Sequence, residues 1–476
     1  MKKEFRAHPL MILSLMKPFL FVLILPVLKG VLEYILNQTV TGILRLEALA
    51  FAVIAVLAFF RWRSFRLICG KSSVTVEMGI LIKKHSVIKI DRLSSVQSVQ
   101  NPLDAVFRAV TYCINTEAGR KAQSDFKFKL SAKESAKVSK LLYGGRNPTA
   151  VKFSAVKVAM MAATTSSAVT GMIVGVPVIN KAGNLLGIAL SEMLFDEINN
   201  VSGEINTYFP PVVNTVTLII LLSYAVSFFY AFFKYINFSL FLEKDKLEVR
   251  SGFFVRSRTS FKKASVNDVK IEQTPLMRFF RRYALKVSVG GYGEAKKESA
   301  VIVPSGRRGE IRRQFSAYFP FLEPDAQPLR AKRDFVTKNR FLYWPGVFFI
   351  ITAAAAVILA LIFKDFGRLI LFLTLVICAV ILYAADLAMF EYRFGRLSMG
   401  SNIFARSVRG FRTCELYCPK ENIGQIKIIR NIPDIPLKTC KVVISVRSES
   451  ADHIKVRHLN YSDVKKSIYE CYNIKV

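Results

Sequence analysis

Residues 78–116 read MGILIKKHSVIKIDRLSSVQSVQNPLDAVFRAVTYCINT, and residues 251–289 read SGFFVRSRTSFKKASVNDVKIEQTPLMRFFRRYALKVSV. Laid over one another at a constant offset of 173 positions, the two stretches need no gap. Gly79 falls on Gly252, Leu93 on Val266, Val96 on Val269, Pro102–Leu103 on Pro275–Leu276, and Phe107–Arg108 on Phe280–Arg281. The alternating Tyr112, Ile114 and Thr116 fall on Leu285, Val287 and Val289. Repetition on this scale decides the architecture. A third copy begins with SNIFARS at Ser401, matching SGFFVRS at an offset of 150. Asn402 then takes the place of the turn glycine, a position that asks for a residue tolerant of positive φ, so it reads as a hairpin tip. An insertion around Arg409–Tyr417 moves the offset to 157, where Ile423, Ile426 and Ile428 match Val266, Val269 and Ile271. The third copy lacks the Phe-Arg pair.

Within each copy the pattern is that of strands: SVTVEMG, LEVRSGFFVRS, LKVSVGG and CKVVISVRS alternate apolar with polar residues and break at Gly, Asn, Asp or Pro. A helical stretch closes each copy, SAKESAKVSKLLYG, SGRRGEIRRQFSAYF and NYSDVKKSIYECYN. Ser131 with Glu134 forms a capping-box signature.

Outside the copies the chain is greasy. It is 52% hydrophobic yet carries 68 Lys+Arg, for a net charge of +34. Such a charge suits a nucleic-acid binder, but here it alternates with apolar runs of membrane length, and the aromatic residues sit in strand patterns; membrane topology is the better explanation. Six segments are long enough to cross a bilayer: Pro18–Leu36, Ile43–Phe60, Ala155–Ile179, Val212–Phe233, Tyr343–Phe363 and Leu369–Met389. The blocks Arg61–Lys152, Lys234–Arg340 and Glu391–Val476 carry net +12, +13 and +8, whereas the loop between the third and fourth segments carries −3. The expected topology is therefore a multi-pass protein of the plasma membrane with both termini and all three basic blocks cytoplasmic. The expected division is 1–60, 61–152, 153–233 with an external loop at about 180–211, 234–340, 341–390 and 391–476. The fold class is α+β: six transmembrane helices in three pairs, each pair followed by a cytoplasmic β domain with a C-terminal helix.

The order of helix pair, G-[IF]-[LF]-x-[KR] hairpin, P-L, F-R and final sheet resembles the bacterial pleckstrin-homology membrane proteins in a three-repeat form, from about Lys17 to Val476. The resemblance implies a pleckstrin-homology-like fold for each β domain. It also implies a protein partner such as a smaller single-repeat relative, and roles in the cell envelope or in antimicrobial stress. In that fold acidic headgroups dock at basic early hairpins, which here singles out Lys83, Lys84, Arg256, Arg258, Lys262, Lys263, Arg406, Arg409 and Arg412 as headgroup or partner contacts. The same charges also serve topology and draw an anionic leaflet nonspecifically, each contributing on the order of 1 kcal/mol.

Enzymatic constellations are weak. Four histidines are present, and Cys414-x3-Cys418 with Cys440, His453 and His458 lacks a second metal-binding pair; the seven thiols are expected free in a reducing cytoplasm. GGYGE at Gly290–Glu294 lacks the G-K-[ST] of a phosphate loop. Asp386, alone in its apolar run, is expected to be solvated or to pair with Arg393. No cofactor, metal or nucleic acid is implied. A non-enzymatic scaffold at the inner leaflet is the expectation, with a lipid- or solute-handling transporter component as the alternative; Thr164–Ser167 and the Gly171/Gly175 pair could line a cavity or a close helix contact.

Overall fold

The structure, a computed structural model, describes residues 3–17, 42–70, 72–79, 82–116, 126–142, 149–167, 169–173, 175–177, 179, 190–204, 211–243, 245–289, 299–332, 334–447 and 453–473. The first expected span, Pro18–Leu36, and the GGYGE segment lie outside these residues.

The elements recur three times in one order. The first set is β1 (Lys3–Arg6), α1 (Gly42–Arg63), β2 (Arg66–Cys69), β3 (Ser73–Met78), β4 (Lys84–Lys89), β5 (Leu93–Gln100), α2 (Pro102–Val106), β6 (Ala109–Thr116), β7 (Phe126–Ser131) and α3 (Ala132–Leu142). The second is β8 (Thr149–Lys152), α4 (Ala155–Thr165), α5 (Leu190–Glu204), α6 (Pro211–Tyr235), β9 (Ser239–Leu242), β10 (Lys246–Ser251), β11 (Arg256–Lys262), β12 (Val266–Gln273), α7 (Pro275–Phe279), β13 (Tyr283–Val289), β14 (Ala300–Gly306) and α8 (Arg308–Tyr318). The third is β15 (Leu329–Arg330), α9 (Phe335–Ile362), α10 (Gly367–Phe394), β16 (Arg396–Met399), β17 (Asn402–Arg409), β18 (Arg412–Pro419), β19 (Ile423–Ile429), β20 (Thr439–Val446), β21 (His453–Asn460) and α11 (Tyr461–Tyr472).

Each set begins with a strand ahead of its helices. Arg6 pairs with Arg66, Lys152 with Ser239, and Arg330 with Arg396, so the strands before and after the membrane-directed helices lie side by side. A β domain thus recruits residues from before its helices, which a division at 61 or 234 separates from it.

The third copy aligns differently from its sequence reading. β9, β10 and β11 map onto β16, β17 and β18 at the single offset of 157 that also relates β12 to β19. No insertion interrupts it. Asn402 opens β17 instead of forming its far turn, and its side-chain amide donates to the carbonyls of Phe321 and Glu323. The tip of that hairpin is Gly410, at φ +59. The short match SNIFARS/SGFFVRS misleads because alternating apolar strands resemble one another in several registers.

Two compact units are present. One comprises Met1–Lys152, Ser239–Ser265 and Val289–Glu298; the other comprises Phe153–Phe238, Val266–Ser288 and Ser299–Val476. The first holds a four-stranded sheet, β1-β2-β3-β4, and a seven-stranded sheet, β7-β6-β5-β11-β10-β9-β8. Its core joins Phe5, Phe65, Leu67, Val74 and Val76 to Val96, Tyr112, Phe128, Leu130 and Val138, so the four-stranded sheet, β5–β7 and α3 close on one apolar interior. The second holds a seven-stranded sheet, β14-β13-β12-β18-β17-β16-β15, and a three-stranded sheet, β19-β20-β21. There Leu397, Ile403, Leu416, Val442, Ile444, Val456, Val464 and Ile468 make the matching core.

Both seven-stranded sheets therefore run through the boundary between successive copies. β5 pairs with β11, placing Val96 opposite Ser260, and β12 pairs with β18, placing Val269 opposite Tyr417. Offsets of 173 and 157 superpose one junction on the other, residue for residue.

Among the described residues three helices are long and apolar enough to cross a membrane: Asn214–Tyr235, Phe335–Ile362 and Gly367–Phe394. The expected third span is broken. α4 stops at Thr165, and Val169–Pro177 continues at 95° to it. The hydroxyls of Thr164, Thr165 and Ser166 bond back to the carbonyls of Met161 and Ala162, and Ser167 Oγ then accepts from the Thr170 N–H to start the next turn. Gly171 lies so close to α6 that a Cβ would sit 1.5 Å from the Ser223 carbonyl oxygen, so the glycine serves a close helix contact. The expected external loop contains the helix α5.

Candidate membrane-facing site

After the junction strand each copy makes one short turn of helix, and the sequence shows why. Asn101, Thr274 and Asn431 stand at the start, followed by Pro102, Pro275 and Pro433 in the first two helical positions. Thr274 Oγ1 accepts from the Met277 N–H, and the Asn431 N–H donates to Asp434 Oδ2 at 2.9 Å. The turn ends on a left-handed residue that is basic in all three copies: Arg108 at φ 53, Arg281 at φ 53 and Lys438 at φ 51. Lys438 supplies the basic residue that the third copy seemed to lack. One residue per turn faces inward (Asp104, Met277 and Asp434), leaving the remaining apolar ones outside. Leu103, Val106 and Phe107 are exposed in the first copy, Phe279 (81%) and Phe280 in the second, and Ile432 (85%) and Ile435 in the third.

The hairpin tips repeat this chemistry. Gly79 and Gly252 adopt φ 132 and 104, and a Cβ on Gly79 would meet the Ile82 carbonyl oxygen at 1.9 Å. Phe253 and Phe254 are exposed beside Gly252, Phe411 beside Gly410, and Ile82 beyond Gly79. Exposed aromatic and aliphatic side chains beside Lys83, Arg256, Arg282 and Arg412 form an apolar–basic pairing suited to a membrane interface.

α10 shows where the third tip and the second short helix sit. Tyr383 Oη donates to the Phe411 carbonyl at 3.1 Å, and the two rings stack at 6.3 Å. Asp386 pairs with Arg278 of α7 at 2.7 Å, in place of the expected Arg393. Phe390, one turn further on, receives the guanidinium groups of Arg278 at 4.7 Å and Arg406 at 5.1 Å; Phe394 also takes Arg406 at 5.1 Å. Asp386, Phe390 and Phe394 share one face by their i, i+4 spacing. The carboxylate stays in the helix because an arginine from a neighbouring element reaches it.

The basic candidates divide into two groups. Arg258 donates from Nε and Nη2 to Glu248 at 2.7 and 2.8 Å and from Nη1 to Ser139; Lys262 donates to the Asp91 carbonyl. Arg406 is buried against Glu415 at 3.2 Å. Burial lowers the Arg406 guanidinium, and Glu415 counteracts this. These three hold the fold together. Lys83, Lys84, Arg256, Arg409 and Arg412 are exposed, Lys263 is half-buried, and Arg412 reaches Glu272 only at 3.9 Å.

The cysteine and histidine candidates are dispersed. Cys414, Cys418 and Cys440 are buried in the third core, where burial pushes every thiol up, Cys440 to about 11. His458, at φ 55, packs on the Phe341 ring; burial and the adjacent Arg340 push it down to about 4. Among the described residues no three His, Cys, Asp or Glu side chains gather as a metal site. The exposed apolar residues of the short helices and tips were the feature that charge counting missed. Phe253–Phe254 and Phe279–Phe280, doublets placed at turns rather than in strands, were the available signal.

Repeated β sheets with terminal helices, joined to apolar helices of membrane length, define a membrane-associated protein of pleckstrin-homology-like domains. Residues 20–146 and 189–318, together more than half of the chain, match the bacterial PH domain family, and the chain belongs to that family. The third copy lies outside both matches and joins the set through its structure. No curated protein and no solved structure matches the chain.

Proposed function

We propose that the chain is a non-enzymatic scaffold of the plasma membrane, with six helices in three pairs, both termini cytoplasmic, and its β domains held against the inner leaflet for a partner protein. The supporting observation is the contact of the Phe411 tip and of Arg278 with Tyr383 and Asp386, near the end of an otherwise apolar helix that the proposed topology makes cytoplasmic. At that depth Phe279, Phe280 and Phe411 enter the acyl boundary while neighbouring Arg and Lys reach anionic headgroups. A Phe buried there contributes roughly 1.5–3 kcal/mol and each basic residue about 1 kcal/mol.

A photocrosslinking phenylalanine analogue in place of Phe280 or Phe411 tests this in the full chain in native membranes. Lipid adducts are expected at both positions and none from the same analogue in place of Lys466, on the exposed face of α11. Adducts to soluble protein alone would reject the reading. The break after Thr165 supports a second reading, a lipid- or solute-handling component, because non-helical backbone at membrane depth belongs where it lines a cavity. Movement of a lipid or solute by the purified protein in liposomes would favour that role over a scaffold.

A further inference from the structure

Two junctions within the chain use the same strands in the same register, and each has one counterpart left over. In the repeat frame β4 is the counterpart of β11 and β18, and β19 is the counterpart of β5 and β12. β4 is the last strand of its four-stranded sheet and β19 the last of its three-stranded sheet, and among the described residues neither outer edge is paired. We propose that these edges form the same junction between two copies of the chain, β19 of one adding antiparallel to β4 of the next, with Ile426 opposite Val87.

The register follows from the junctions already present. Val96 opposite Ser260 and Val269 opposite Tyr417 translate into Ile426 opposite Val87. Directly opposed side chains lie on one face of a sheet. The paired counterparts of Val87 are covered, Ser260 and Tyr417 both at 7%, whereas Val87 itself is 68% exposed. In the other two copies this position is covered where a junction is present, the Tyr417 ring lying 4.3 Å from the ring of Phe315 on the closing helix of the preceding copy. In the translated register Ile88 faces Gln425, Ser86 faces Lys427, His85 faces Ile428 and Lys84 faces Ile429; the one like-charged pair, Lys83 opposite Arg430, falls at the exposed end of the ladder, where the Arg430 guanidinium lies over the Tyr461 ring. Lysines commonly blunt a sheet edge, yet β11 pairs while carrying Arg256, Arg258 and Lys262, so basic residues do not bar this strand position from pairing. The ladder at Ile423–Gln425 also shifts register where β5 shifts at Leu93–Ser95, so the edge carries the same local bend as a strand already in a junction. Two unlike edges that complement each other make a head-to-tail contact, which propagates as a ring or a row instead of ending at a symmetric dimer.

Disulfide trapping in native membranes tests the proposal. Two differently tagged full-length chains, one Val87→Cys and the other Ile426→Cys, are expressed together and oxidised, and a single chain carrying Val96→Cys and Ser260→Cys reports closure at a junction already present. A mixed dimer is expected at about tenfold the yield of Val87→Cys with Ile429→Cys, because a pair three residues out of register exceeds the reach of a disulfide. A dimer formed only between Val87→Cys chains, a crosslink only to another protein, or no mixed dimer while the internal control closes would each overturn the proposal.

Discussion

The two internal junctions share a register but not a chemistry. At β5–β11 the strands meet through Ser95, Val96, Gln97, Ser98 and Val99; Arg258 turns back to Glu248 of its own sheet, and Lys262 donates only to the Asp91 carbonyl. At β12–β18 both strands carry buried charge, paired with side chains of their own strand, of neighbouring strands or of α8. Lys270, 3% exposed, pairs with the fully buried Asp268 at 3.3 Å; Glu272 binds Lys286 at 2.8 Å; Glu415 takes Arg406 at 3.2 Å and Arg308 at 3.3 Å. Gln97 and Lys270 occupy the same place in the two junctions. Backbone pairing therefore defines the junction, while side chains decide how much it costs to alter. A polar junction tolerates change; a buried ionic one penalises loss of a single partner far more than loss of both.

The largest effect is expected at Lys270. Lys270→Met leaves Asp268 buried without its ammonium and costs about 3–5 kcal/mol, read as a lowered unfolding temperature of the detergent-purified protein. Asp268→Asn with Lys270→Met should recover most of that loss; a double variant as unstable as the single one would mean that the ion pair is not the cause.

Acid should separate the junctions next. Burial works to raise Glu272, but Lys286, Arg412 and Lys270 outweigh it and hold the carboxyl below its ordinary 4.5. A depressed carboxylate stabilises the fold above its unfolded value and loses that contribution as pH falls through the folded one. Amide exchange of β18 is thus expected to accelerate below about pH 4.5 before that of β11. Equal acceleration in both strands would show that Glu272 does not set the difference.

His458 gives a background to subtract. Its folded value of about 4 against an ordinary 6.5 means that the unfolded chain binds the proton first, so stability falls as pH drops from about 6.5 towards 4. The loss is on the order of 2 kcal/mol, with residual exposure allowed for. His458→Asn keeps a residue that tolerates the left-handed backbone and should flatten that limb of the thermal-stability profile while leaving the β18 limb unchanged. The smallest effect is expected at Gln97→Met, within about 0.5 kcal/mol; a loss comparable to Lys270→Met would erase the contrast between the junctions.

Much of this was legible in the residues. The offset of 173 places the hairpin, the junction strand and the short helix of the second copy correctly from the first, because glycine at a forced turn and proline at a helix start are local requirements. The third copy was misplaced over its opening strands, since alternation alone does not select among registers, and only the pairing of β16 with β17 and β18 resolved it. Asp386 shows the same limit: its apolar surroundings marked it, but Arg278, distant in sequence, could be found only in three dimensions.

The sequence by itself determined the repeat, the apolar helices and the strand character of each block, all consequences of local periodicity and turn chemistry. Tertiary structure alone decided that each β domain begins before its helices and that sheets continue from one copy into the next. Strand partners are chosen by hydrogen bonding between segments far apart in the chain, and no residue announces which edge it will meet.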